Sequence, residues 1–131
     1  MIKYHPAPDI LMDLDTIVKK LGLGHVNLDN VVCIRSTGSN ARYTLARCWG
    51  LPKIWQISLS KEPHYVIEVI SERYDRLSQA EKEKVLIHEL WHIPKTFKGG
   101  LKKHDQDFGK TLNNKFLDRL HEIFRLRAQE Q

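Results

Sequence analysis

Two histidines four residues apart, with a glutamate directly after the first, stand in the stretch His88-Glu89-Leu90-Trp91-His92. On a helix, positions i and i+4 share one face, so both imidazoles can be aimed at one point. A tetrahedral Zn²⁺ needs that of its first two ligands. Glu89 lies about 100° further round the axis, beside the pair. From there its carboxylate can reach a water at the ion without taking a coordination position. With 7 histidines among 131 residues, independent placement yields this HExxH pattern only about 0.02 times per chain, so composition alone does not account for it.

A third ligand is required, and His104 is the first histidine downstream of His92. The intervening IPKTFKGGLKK carries Gly99-Gly100, a turn that can bring the chain back to the metal. His104, Phe108 and Leu112 fall at i, i+4 and i+8 of a following helix, which puts His104 at the edge of its core-facing stripe. His121, Glu122 and Asp107 compete for the third position. His121 ranks second, because it is more distant in sequence and lies on a longer helix.

The motif needs a helix to position it, and Ser78 to Pro94 reads as one on independent grounds. Ser78 followed by Glu81 is a capping-box signature. Glu81 and Glu83 suit the positive end of the helix dipole, and Pro94 disfavours a helical Ile93 and marks the stop. Val85, Leu86, Ile87, Leu90, Trp91 and Ile93 are apolar almost all round, as in a core helix. Histidines and a glutamate buried there need partners, and a metal is such a partner.

The segment HELWHIPKTFKGGLKKHDQDF resembles the active-site region of the small SprT-like zinc metallopeptidases, and most of all the compact metallopeptidases of phage and archaea. The resemblance spans Tyr65 to Phe108 and is strongest from His88 to His104. It implies a minimal zincin-like domain in which His88, His92 and His104 bind zinc and Glu89 is the catalytic acid/base. It also implies that an edge strand beside the metal helix pairs with an extended substrate, reading backbone rather than side chains. It leaves the substrate open.

The rest of the chain reads as one α+β domain over residues 1–131, with 41% hydrophobic and 28% charged residues. No apolar run is long enough to span a membrane, and MIKYHPAPD lacks the apolar core of a secretion signal. Cys33 and Cys48 lie in strand-like runs and read as two buried thiols of a cytoplasmic protein. The net charge is +5. Nine Lys/Arg against five Asp/Glu fall from Ile93 onward, and Lys95, Lys98, Lys102 and Lys103 crowd the loop between the expected ligands. Residues 95–103 could draw acidic protein or nucleic acid. A solvated lysine-rich loop is preferred, since no aromatic-basic nucleic-acid motif accompanies it.

Asp9 to Leu21 is expected to be the first helix, capped by Asp9 and ended by Gly22, with His5 and His25 flanking it as non-ligands. Val31 to Arg35 and Ala41 to Trp49 are expected to form a hairpin about a turn at Ser36–Asn40. Ile54 to Leu59 alternates like a strand, and Tyr65 to Ile70 is expected as the last one, with His64 at the surface. Three or four such strands make a small, mostly antiparallel sheet packed on helices. Phe108 to Arg127 is expected to be a long C-terminal helix with a core-facing stripe.

Together these residues predict a zinc peptidase. Three histidines hold the ion and leave its fourth position to water, and Glu89 moves the proton. A second donor for the developing negative oxygen is left open among His121, Tyr65 and a loop lysine. Two other readings remain. A metal-dependent nuclease-like hydrolase is permitted by the basic tail, but it does not need Glu89. A non-catalytic module stapled by zinc would need a fourth protein ligand such as Asp107 or His121.

Overall fold

The structure is a computed structural model, and it describes residues 1–102 and 114–130. In chain order the elements are β1 (Lys3–Pro6), α1 (Pro8–Leu21), β2 (Val31–Thr37), β3 (Ala46–Gly50), α2 (Lys53–Leu59), β4 (Tyr65–Ile70), α3 (Ser71–Tyr74), α4 (Gln79–Trp91) and α5 (Asn114–Ala128). The class is α+β, with a mixed four-stranded sheet in the order β1-β2-β4-β3. β1–β2 and β3–β4 are antiparallel, and β2–β4 is parallel.

Alternation along the strands decides which face carries the core. Val31 and Cys33 of β2 and Tyr65, Ile67 and Val69 of β4 point to one face, where they are buried with Ile10, Leu14 and Ile17 of α1, Leu86, Ile87 and Leu90 of α4, and Phe124 of α5. The intervening Val32 and Trp49 face solvent. α1 earns its helix from the stripe Ile10, Leu14, Ile17 and Val18, and Gly22 ends it in the left-handed conformation. Its N-cap is Ala7 rather than Asp9. Asp9 instead takes the guanidinium fork of Arg35 on β2, at 2.6 and 2.8 Å, which ties the helix start to the sheet.

Two strand expectations give way. The Val31 and Ala41 segments do not form a hairpin, because β4 lies between β2 and β3. Tyr65–Ile70 has apolar residues on both faces, the character of an interior strand, and it displaces the local pairing. Ile54–Leu59 is helical, with Trp55, Ile57 and Leu59 exposed and Gln56 buried. Seven residues are too few to tell a period of 2 from one of 3.6. Tertiary bonds decide the matter: Gln56 Nε2 donates to the carbonyls of Leu51 and Lys98, both at 2.8 Å. β1 carries no strand signal in the sequence. Each of its four residues is exposed, so it has no burial pattern to betray it.

Candidate metal centre

The helix that carries the motif begins as its sequence requires. Ser78 Oγ accepts from Glu81 N at 3.1 Å, and Glu81 Oε1 accepts from Ser78 N at 3.1 Å. α4 ends at Trp91, so His92 lies one residue beyond it as the C-cap. His92 keeps helical dihedrals there, φ −71° and ψ −18°, and so the i, i+4 relation to His88 survives the end of the helix. The two imidazole centroids are 5.2 Å apart. One ligand atom each from His88, Glu89 and His92 falls within 4.8 Å of the others.

The loop after α4 returns to this cluster. Lys102 N donates to the His92 carbonyl at 2.8 Å, and His92 Nδ1 donates to the Lys102 carbonyl at 2.6 Å. A carbonyl only accepts, so Nδ1 carries the proton in this bond, and Nε2 is the ring nitrogen that could serve a cation. This is the outer bond that a metal-binding histidine commonly makes, and the donor set of two imidazoles and a carboxylate is compatible with a divalent ion of nitrogen and oxygen preference. Glu89 is buried, and burial pushes its carboxyl up to about 7.

The loop is itself pinned from below. Tyr65, fully buried in β4, donates its hydroxyl to the Gly100 carbonyl at 2.7 Å and accepts from Gly99 N at 2.9 Å. Its ring packs on Phe97 at 4.8 Å. Gly99 has φ +101°, and a Cβ there would strike the Leu51 carbonyl and Gln56 Nε2, whereas one on Gly100 would meet nothing within 4 Å. Of the glycine pair, only the first is sterically required. The sequence marks Lys102 only by its charged side chain, whereas its contribution here is made by its backbone, and nothing in the sequence points to the bonds from Gln56.

Of the other candidates for the third ligand and the oxyanion donor, His121, Glu122 and Tyr65 are engaged or placed elsewhere. His121 is buried on α5, with Nε2 2.8 Å from Glu83 Oε1, so it belongs to the packing of α5 on α4 rather than to the cluster. Glu122 is exposed on α5. Tyr65 is taken up by the loop and is no free oxyanion donor. His25 and His5, expected as non-ligands, have other partners: His25 bonds the Ile93 carbonyl at 3.3 Å, and His5 pairs with Thr37 at 3.3 Å. His104 and Asp107 lie outside the described residues, as do Phe108, Leu112 and Lys103. Lys95 and Lys98 are exposed, as a solvated loop predicts.

A cleft of about 500 Å³ opens beside Glu89. His88 and Glu89 of the motif line it together with Leu45 and Ala46 of β3 and its approach. β3 is an outer strand of the sheet. The Leu45 carbonyl accepts from Ile70 N at 2.9 Å. Antiparallel alternation then turns the backbone groups of Ala46 and Cys48 away from β4, toward the free edge. Cys48 is close enough to Glu89 to feel its charge, although desolvation does most to push its thiol up to about 12. Cys33 and Cys48 are free thiols. No helix among the described residues is long and apolar enough to cross a membrane.

A family model described as "Putative phage metallopeptidase" matches residues 2–126. The match takes in the first 50 residues, where the motif-based resemblance was silent. No curated protein and no solved structure matches the chain.

Proposed function

The chain belongs to this family of phage metallopeptidases, and from that premise we propose that it hydrolyses peptide bonds in protein or peptide substrates. Zn²⁺ would be held by His88, His92 and His104. The observation that carries the reading is the convergence of His88, Glu89 and His92, with His92 oriented by Lys102. Lys102 lies against His92 only two residues before His104, which supports His104 as the third ligand. Bound there, the ion would supply Lewis acidity toward water and the scissile carbonyl.

The chain's own residues do the rest. Glu89 accepts the proton of the attacking water and passes it to the leaving amine. A carboxyl whose burial raises its pKa toward neutrality can do both near pH 7. The free edge of β3 offers the Ala46 and Cys48 backbone groups to an extended peptide running past Glu89. Two free thiols, Cys33 buried and Cys48 half-buried, suit a reducing cytoplasm.

His121 is one of two residues that could have closed a structural zinc site, and its bond to Glu83 weighs against the stapled-module reading. The test is incubation of zinc-loaded protein with casein, alone and with DNA, and separately with DNA or RNA as substrate. Metal analysis should find about one Zn²⁺ per chain. Casein cleavage by the parent and none by Glu89→Gln, with equal zinc in both, is the expected result. Cleavage of nucleic acid instead would establish the nuclease-like alternative.

A further inference from the structure

The cleft beside Glu89 has a composition that goes beyond holding a backbone. Its floor is Leu45, Leu77, Val85 and Leu117, and of these Leu77, Val85 and Leu117 are half-buried and pack against the core. Val85 stands three residues before His88 and four before Glu89, on the same face of α4. The floor therefore begins about one helical turn, or 5.4 Å, from the catalytic carboxylate. An extended peptide advances about 3.3 Å per residue, so this is the reach of a side chain on a residue at the scissile bond.

The charges at the cleft are already engaged. Lys84 Nζ of α4 meets Asp118 Oδ1 of α5 at 2.8 Å, and both line the cleft; Glu81 is held in the capping box. A charged substrate side chain would have to displace one of these partners. An apolar one would cover exposed apolar floor instead.

We infer that this cleft is a specificity subsite for one large apolar side chain, Leu, Ile, Met or Phe, on a residue adjoining the bond that is cut. The subsite rests on the peptidase reading, and it is continuous with that site through His88 and Glu89. It makes Val85 and Leu117 the specificity-determining residues. A single methylene in an apolar pocket changes kcat/KM by about 10- to 200-fold. Replacing a preferred Leu by Ala, a larger truncation, should therefore lower kcat/KM at least 10-fold.

The test is digestion of a peptide mixture of broad sequence by the zinc-loaded protein, with cleavage sites read by mass spectrometry. Enrichment of large apolar residues at one position adjoining the cut is the expected result. Val85→Trp, which fills the floor, should lower kcat/KM for Leu peptides at least 10-fold and lower it less for Ala peptides, so that the preference for Leu over Ala narrows. Leu117→Asn should weaken the same preference without filling the cleft. Cleavage with no preference, or with a preference for charged residues, at both adjoining positions overturns the subsite and leaves the peptidase intact. No cleavage of any peptide overturns the peptidase reading and the subsite with it.

Discussion

Replacing Gly99 by alanine tests whether the loop after α4 controls the metal cluster. The new Cβ would overlap the Leu51 carbonyl at a φ of +101°. Holding the loop in place would then cost about 1–3 kcal/mol of backbone strain, with a similar amount for overpacking. Releasing it would forfeit the bonds Gly99 N to Tyr65 Oη, Tyr65 Oη to the Gly100 carbonyl, and Gln56 to the Lys98 carbonyl. Each is worth about 1 kcal/mol net. The chain takes the cheaper course, so the expected loss is about 3 kcal/mol, or ~10 °C in Tm for a domain of this size. A released loop also takes Lys102 from His92, and loss of such an outer partner weakens metal binding about 10- to 100-fold. Gly100→Ala is the internal control, because nothing lies within 4 Å of its Cβ, and it should stay within about 0.5 kcal/mol of the parent. Thermal unfolding and a competitive zinc titration on all three proteins read both effects. If Gly99→Ala melts and binds zinc as Gly100→Ala does, the loop is not pinned as described. If it loses stability but keeps its zinc affinity, the link from the loop to His92 is wrong.

Other outcomes follow from the same geometry. In the metal-free protein the Glu89 pKa, raised by burial from the ordinary 4.5 to about 7, means that the folded state holds the protonated form more tightly. That contribution is whole below pH 4.5 and is lost as pH rises through 7, amounting to about 3 kcal/mol. Glu89→Gln should remove the loss, so with chelator present the variant should melt above the parent at pH 8 and by a smaller margin at pH 5; parallel melting profiles would contradict this. His88→Ala, His92→Ala and His104→Ala should each abolish stoichiometric zinc, whereas His121→Ala should keep it. Full zinc in His104→Ala would move the third ligand elsewhere. His121→Ala should nonetheless unfold more easily by about 2–3 kcal/mol, because it strips the nearest partner from buried Glu83; denaturant melts would show it.

The motif helix and its cluster of possible ligands were legible in the sequence because local rules govern them. The Ser78–Glu81 box, the apolar run and Pro94 are all contained within one helix and its ends, and helical spacing alone puts His88 and His92 on one face. The same holds for α1, whose stripe and terminal glycine are local signals. Residues 54–59 show the limit. Their alternation is equally local, yet Gln56 reaches partners five and 42 positions away and fixes a helix.

By itself, then, the sequence determined which side chains could meet a cation, since a helix relates residues four apart without help from the rest of the chain. Tertiary structure decided what surrounds them. It inserted β4 between β2 and β3, left β3 at the outside of the sheet, set the Lys102 carbonyl on His92 and drew His121 away to Glu83. Each of those outcomes depends on contacts between segments distant in the chain or on backbone atoms common to every residue, and neither leaves a mark in the order of side chains.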